Sequence, residues 1–219
     1  MALLKTEIAS LALGNLGSSA IIRNLDNDPG TVANVLRRWF PLTLRIVLQK
    51  YSWAFAYGES PLTLISEDLE GGNILGPYQF RYQFPSNAVK VRDVAMEGRF
   101  SKAELYEAHK EKFTEVQVNS SLEVWTDVPR AHARYTRSMS EDSSFPEHFS
   151  LALAAQWALY SGPQIVTGNF AGIQKQLKMI VAQQYSEAIA IEVNRTPTAT
   201  ESPTPFELAR YRDVNYEDY

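Results

Sequence analysis

The sequence contains no cysteine among its 219 residues. This absence excludes disulfides, thiolate nucleophiles and zinc sites built on sulfur. The three histidines, His109, His132 and His148, lie in different segments without the spacing of a metal site. The GxGxxG, GxxxxGK[ST] and GxSxG motifs are all missing. The sequence therefore predicts neither a loop that binds nucleotide phosphates nor the nucleophilic serine of an α/β-hydrolase. The sequence therefore predicts no metal, no cofactor and no catalytic residue.

Long apolar runs and a strong charge of one sign are also missing. No segment approaches the roughly 20 apolar residues that a membrane-spanning helix needs, so no membrane partner is expected. The first residues include Glu7 and lack a basic region followed by an apolar run, which argues against a signal peptide. The net charge of -4 argues against a protein that holds nucleic acid mainly through lysine and arginine.

Apolar residues recur at helical spacing in four places, and the first two lie near the N-terminus. The first predicted helix covers residues 4–17. The second follows Asp28 and Pro29, which we predict to cap it and to occupy its first position. Pro41 lies inside the apolar seam of the second helix and predicts a kink near Trp39 and Phe40, not an end.

Two further helices follow after residue 137. Phe145, Pro146 and Glu147 open the third predicted helix, which Gly162 and Pro163 interrupt. The fourth covers residues 170–193. Three prolines then space residues 196–205, which predicts an extended linker without core residues.

Between the second and third helices the apolar pattern changes to alternation. Tyr78, Phe80, Tyr82 and Phe84 place four aromatic side chains on one face of the clearest strand. We predict that this face packs against the helices. Shorter alternating segments predict strands at 53–57, 62–65, 89–94, 116–118, 122–125 and 131–136, whereas 102–112 fits either a short helix or a solvated loop.

These elements predict an α+β fold. About four helices form an antiparallel bundle with an inserted β-rich subdomain and an extended C-terminal arm. The predicted boundaries place the bundle in residues 1–57 and 138–195, the insertion in 58–137, and the linker and arm in 196–219.

The arm at residues 206–219 is rich in aromatic and aliphatic residues although it follows the linker. Tails that are merely disordered are poor in such residues. We therefore predict that the arm orders on a partner protein. The predicted docking residues are Phe206, Leu208, Arg210, Tyr211, Arg212, Val214, Tyr216 and Tyr219.

Two other functions are consistent with parts of the sequence. Arg37 and Arg38, together with the aromatic strand, fit a nucleic-acid-binding module. A hydrolase with a triad built on His148 or His132 also stays open. The acidic turn at residues 26–30 resembles the start of a calcium loop, but Arg37 stands where the loop needs a glutamate, so this interpretation fails.

Several short motifs follow one another in a recognisable order along the chain. They are IASLALGNL at 8–16, LDND at 25–28, the helix Thr31–Lys50 with its internal proline, WAFA at 53–56, YQFP at 82–85, VKV at 89–91, the segment 128–137, and the helix from 145 that contains LAAQWA. Together these motifs resemble the phage head-to-tail adaptor proteins of the tail tubular protein A group, found in short-tailed phages. The resemblance covers most of residues 3–195, and residues 97–119 depart from it by being unusually polar.

The resemblance implies a structural virion protein and not an enzyme. It implies a dodecameric ring between the portal and the tail nozzle or tail tube, assembled in the host cytoplasm, with the C-terminal arm reaching the portal. Double-stranded DNA is expected to pass through the ring without sequence-specific binding. An acidic or neutral wall suits this passage because a basic wall would release counterions and hold the duplex.

Overall fold

A computed structural model describes residues 2–67, 78–96, 112–166, 168 and 170–195. These residues form an α+β fold with four α-helices and antiparallel sheets, which confirms the predicted class. The helices are α1 (Lys5–Asn15), α2 (Thr31–Lys50), α3 (Glu147–Ile165) and α4 (Phe170–Arg195). The strands are β1 (Ala2–Leu3), β2 (Tyr57–Pro61), β3 (Leu64–Glu67), β4 (Phe80–Gln83), β5 (Ala88–Met96), β6 (Phe113–Val118), β7 (Ser121–Thr126), β8 (Ala131–Arg137) and β9 (Phe145–Pro146).

Helix α3 is the centre of the helical part, because α1, α2 and α4 each pack against it. A helix that is apolar on all sides is stable only when other elements surround it. Trp157 on α3 is fully buried, and its Nε1 donates a hydrogen bond of 3.1 Å to the carbonyl of Leu36 on α2. Its ring packs on Phe40 with the ring centroids 4.8 Å apart. One continuous apolar core therefore joins the helices.

Helix α2 passes through Pro41, which lies on the exposed side of the helix. The prediction that this proline does not end the helix is confirmed. The predicted start at Asp28 and Pro29 is wrong, because α2 begins at Thr31 with Gly30 as its N-cap. The carboxylate of Asp28 instead accepts a 2.7 Å hydrogen bond from the Gly30 N–H, which closes a turn before the helix.

The predicted break at Gly162 and Pro163 is also wrong, because α3 continues to Ile165. Gly162 is a packing position. A Cβ atom there would meet the ring of Phe170 on α4 and would lie 2.9 Å from Cδ2 of Leu16. The missing side chain lets three elements approach closely, and the helix tolerates Pro163 in its last turn.

The strands form three antiparallel sheets. Strands β1 and β9 pair with each other, β2–β8–β5 form the second sheet, and β3–β4–β7–β6 form the third. Phe80 and Tyr82 of the third sheet share a separate core with Val91 and Tyr135 of the second. The prediction that the aromatic strand packs on the helices is therefore wrong, because its buried face packs on the other sheet.

The alternating aromatics at 53–57 do not form the predicted strand. Ala54–Ala56 is a 3-10 helix, and strand β2 begins only at Tyr57. Trp53 is buried in the helical core, where its Nε1 donates a 3.0 Å hydrogen bond to the carbonyl of Val47. Segment 102–112, apart from Lys112, lies outside the described residues.

Arg92 on β5 fastens the second sheet to the end of α2. Its Nη2 donates to the carbonyls of Leu48, Gln49 and Tyr51 at 2.9, 3.1 and 2.6 Å. Its Nε donates to the hydroxyl of Thr136 at 2.8 Å. Burial lowers the pKa of Arg92. The guanidinium caps carbonyls that have no partner within the helix and lies at the negative end of the helix dipole.

Candidate interaction surfaces

The predicted docking residues of the arm all lie outside the described residues, which end at Arg195. They are Phe206, Leu208, Arg210, Tyr211, Arg212, Val214, Tyr216 and Tyr219. Their docking role stays a prediction. The structural evidence on function therefore comes from the surfaces of the described residues.

The turn that resembles a calcium loop is closed by an arginine. The guanidinium of Arg37 donates to the backbone carbonyls of Leu25, Asp26 and Asp28, the last two at 3.1 and 2.8 Å. These carbonyls already have a cationic partner, so the turn is a structural cap before α2. In the described part of the chain, no group of three acidic or histidine side chains could hold a metal ion.

The structure separates the residues of the nucleic-acid-binding hypothesis. Arg37 is committed to its turn, and Arg38 is exposed on α2. Phe80 and Tyr82 are buried between the two larger sheets, and therefore offer no open ring face for a base to stack on. Arg81 on the same strand binds Glu123 through two hydrogen bonds of 2.8 Å.

The two described histidines lie in different environments. His148 is buried, and its Nε2 lies 2.6 Å from Oε1 of Glu192 on α4. The other carboxylate oxygen of Glu192 accepts a 3.1 Å hydrogen bond from the Ala54 N–H. This contact joins α3, α4 and the 3-10 helix, and its burial keeps His148 away from any substrate in solution. His132 instead lines a cavity in the β part, and His109 lies outside the described residues.

Arg81 and Glu123 form the best-defined ion pair of the β part. Both hydrogen bonds between them measure 2.8 Å, and Nε1 of Trp125 donates a third at 2.8 Å to the same carboxylate. The Arg81 guanidinium also lies 5.5 Å from the centroid of the Trp125 ring. The hydrogen bonds from Arg81 hold the pKa of Glu123 below its ordinary value.

We expect the stability that this pair contributes to be lost in acid. A lowered pKa in the folded state adds stability above the pKa of the unfolded chain, near pH 4.5, and that stability is lost as the pH falls through the folded value. In Glu123→Gln this contribution is absent. Urea unfolding between pH 3 and 7 should show a smaller acid loss for Glu123→Gln than for the wild type, with Glu187→Gln on the exposed side of α4 as the control. Parallel pH profiles for all three proteins would contradict the prediction.

Among the residues that the structure describes, nothing covers the outer faces of α2 and α4. On α2, which contains no acidic residue, Arg38 and Arg45 are exposed on either side of Leu42, whose exposed fraction is 48%. On α4 the exposed apolar side chains are Met179, Ile191 and Val193, at 66%, 41% and 53%. Both faces also carry exposed basic residues, Arg38 and Arg45 on α2 and Lys175 and Lys178 on α4. Both belong to helices that flank α3.

Each of these helices also holds a polar atom without a partner. Within the described residues, Nε1 of Trp39 on α2 and the hydroxyl of Tyr185 on α4 are buried and have no hydrogen bond. Trp39 stacks on Tyr160 of α3 with the ring centroids 5.9 Å apart. Burial raises the pKa of Tyr185, so its hydroxyl stays neutral. Unpaired buried polar atoms are rare because each costs about 1–3 kcal/mol.

A cavity of about 520 Å³ opens between the β2–β3 connection and the turn from β7 to β8. Phe80, Tyr82 and Ala131 form its buried apolar floor. Glu67, Arg130 and His132 supply titratable groups at its edge. The sequence does not predict this cavity, because its walls come from segments far apart in the chain and its charged residues belong to no motif.

The turn that carries Arg130 is held from below by Tyr82. The Tyr82 hydroxyl donates a 2.7 Å hydrogen bond to the carbonyl of Val128 and accepts one of 3.4 Å from the Ala131 N–H. Burial raises the pKa of Tyr82, which keeps the phenol protonated as a donor. Arg130 has a φ of 51°, in the left-handed region that residues other than glycine, asparagine and aspartate seldom adopt.

No helix in the described part of the chain combines the length and the apolar character that crossing a membrane requires. Neither a comparison with models of known protein families nor one with curated proteins finds a match. The use of these surfaces must therefore be inferred from the residues themselves.

Proposed function

We propose that this chain is a head-to-tail adaptor of a short-tailed phage, similar to the tail tubular protein A group. It is a structural virion protein and not an enzyme. Copies of the chain form a ring, most simply a dodecamer, between the portal and the tail nozzle or tail tube. The ring surrounds the channel through which double-stranded DNA leaves the capsid.

The pair of uncovered faces on α2 and α4 carries this proposal. Subunits in a closed ring bind head to tail, so each must offer two different surfaces, one to each neighbour. Leu42 lies between two exposed arginines on α2, whereas Met179 and Val193 lie on the outer side of α4.

The proposal divides the chain into three parts. Residues 1–57 and 138–195 form a helical bundle, residues 58–137 form an inserted β-rich subdomain, and residues 196–219 form the linker and arm. The two separate apolar cores support the first division, since the helices share one core and the two larger sheets share another. The arm follows α4 and binds the portal. The net charge of -4 fits a channel that DNA passes without being held.

The direct test is electron microscopy of the purified chain mixed with portal particles of the phage that encodes it. We expect an added ring at the tail-facing end of each portal. A protein lacking residues 206–219 should leave the portals bare while its circular dichroism and unfolding midpoint stay those of the full chain. Bare portals with the full-length protein, at concentrations well above micromolar, would reject the adaptor function.

A charge on the outer face of α4 is expected to prevent ring closure. Met179 is 66% exposed, so Met179→Glu should change the free energy of unfolding by less than about 0.5 kcal/mol. In a ring, the same carboxylate would be buried in an apolar contact, which costs several kcal/mol at each interface. Ring formation on portals should fall at least tenfold. Ser10→Glu, on the exposed side of α1, is the matched control, and equal ring formation by both variants would exclude α4 from the interface.

A further inference from the structure

The cavity of the β part fits an aromatic side chain that lies next to a carboxylate. Its volume of about 520 Å³ lies within the range of about 300–1,000 Å³ typical of binding cavities. A folded helix is too large for this space, whereas one or two side chains of an extended segment fill it. The rings of Phe80 and Tyr82 form the apolar floor, and Arg130 with His132 provides the groups that a carboxylate would contact.

The turn between β7 and β8 positions Arg130 at the edge of the cavity, where it can contact a carboxylate. Its backbone is kept in the left-handed region by the buried hydroxyl of Tyr82, which binds the turn on both sides. Within the described residues, the structure gives the Arg130 guanidinium no hydrogen bond and no ion pair. The turn fixes the backbone of Arg130 beside the cavity, and its guanidinium has no partner in the described part of the chain to give up when a carboxylate binds. A strained backbone that is maintained by its surroundings is also more frequent at functional sites than elsewhere.

The chain itself contains a segment with the required chemistry. Near the end of the arm, Tyr216, Glu217, Asp218 and Tyr219 place aromatic rings directly beside carboxylates. Arginine pairs with carboxylates through two parallel hydrogen bonds, which would orient the segment, while a tyrosine ring supplies apolar area.

We infer that the arm, residues 206–219, docks in this cavity of its own chain. One tyrosine ring of the arm enters the cavity beside Leu62 and Leu64, and the carboxylate of Glu217 or Asp218 pairs with Arg130. The contact needs only residues of this chain and does not depend on the adaptor function.

The linker is long enough for this contact. Glu192, in the last turns of α4, bonds to the Ala54 N–H at 3.1 Å. From Ala54 to Pro61 at the cavity the chain spans at most about 25 Å, at about 3.3–3.6 Å per residue. From Arg195, where α4 ends, to Phe206 an extended chain can span about 36–40 Å by the same measure. The arm therefore reaches the cavity with length to spare.

Under the adaptor proposal, the cavity and the portal compete for one segment. A free subunit keeps its arm in the cavity, and a portal that offers a better site takes the arm from it. This competition would weaken the apparent affinity of the arm for the portal, because part of the binding free energy is used to release the arm from the cavity.

The absence of cysteine allows a direct test in the full chain. Thr63→Cys, exposed beside the cavity, is combined with Asn215→Cys in the arm, and disulfide formation is followed at low protein concentration. The matched control combines Asn215→Cys with Ser10→Cys, exposed on α1. We expect the Thr63 pair to form a disulfide within one chain at least tenfold faster than the Ser10 pair. Equal rates would overturn the inference, and so would disulfides that join two chains only.

Arg130→Gly separates loss of the contact from loss of the fold. Glycine adopts the left-handed conformation without strain, so the unfolding midpoint should stay the same or rise. The disulfide rate of the Thr63 pair should fall at least tenfold in this background, and a similar fall is expected for Glu217→Lys with Asp218→Lys. An unchanged rate in Arg130→Gly would also overturn the inference. None of these outcomes affects the ring test on portals, so the two proposals fail separately.

Discussion

Replacement of Arg92 by alanine is expected to lower the free energy of unfolding by about 3–4 kcal/mol. The guanidinium donates to three carbonyls at the end of α2 and to the hydroxyl of Thr136. Without it, these half-buried acceptors lose their donor, and each unsatisfied group costs about 1–3 kcal/mol. The favourable charge at the helix C-terminus is lost as well. Urea unfolding followed by tryptophan fluorescence measures the difference.

Two further variants make this result specific. Arg92→Lys keeps the positive charge but lacks the planar set of N–H donors of the guanidinium. We therefore expect a loss of unfolding free energy between zero and that of Arg92→Ala. Arg134→Ala removes the partner of Glu59 in an ion pair of 3.3 Å whose side chains are 15% and 35% exposed, and we expect it to cost less than Arg92→Ala. If Arg92→Ala were no more destabilised than Arg134→Ala, Arg92 would not be the joint between the sheet and the helix.

Replacement of Glu192 by alanine is expected to cost about 3–5 kcal/mol, because it removes one partner of a buried pair. His148 would lose its 2.6 Å contact, and the Ala54 N–H would lose its acceptor. Both side chains are almost fully buried, with exposed fractions of 5% and 3%. Water is therefore not available to take the place of the carboxylate. Chemical unfolding at neutral pH provides the measurement.

Glu192→Gln is the informative comparison for this pair. The amide keeps an oxygen for the Ala54 N–H and a polar group near His148, so we expect less than half the loss seen with alanine. Glu187→Ala, on the exposed side of the same helix, should have an effect below about 0.5 kcal/mol. A small loss in Glu192→Ala would show that the pair does not hold α4 against α3.

The sequence predicts the presence of all four helices, because apolar residues recur at helical spacing in each one. Pro41 is correctly placed inside α2, since the apolar seam continues on both sides of it. Gly162 and Pro163 were misleading, because a glycine can mark close packing as well as a break. The aromatics at 53–57 alternate like a strand, yet packing in the helical core determines their conformation.

Sequence patterns are less informative about what each buried face contacts. The alternation around Phe80 and Tyr82 predicts one buried face, but it cannot show whether helices or a second sheet cover that face. The sequence also does not show which arginines are available to bind a partner. Arg37, Arg81 and Arg92 all bind groups of their own chain, which a charge count does not reveal. The cavity is beyond sequence reasoning because folding brings its distant walls together.

The hydrogen bonds from Arg92 to the carbonyls at the end of α2 also affect how the second sheet and the helix move together. Three hydrogen bonds from Arg92 bridge the short connection after α2, so we expect the second sheet to rotate little relative to that helix. A push on the sheets is transmitted along the axis of a 20-residue helix. A force on the second sheet would then displace the N-terminal end of α2 as well, because the sheet and the helix would move together.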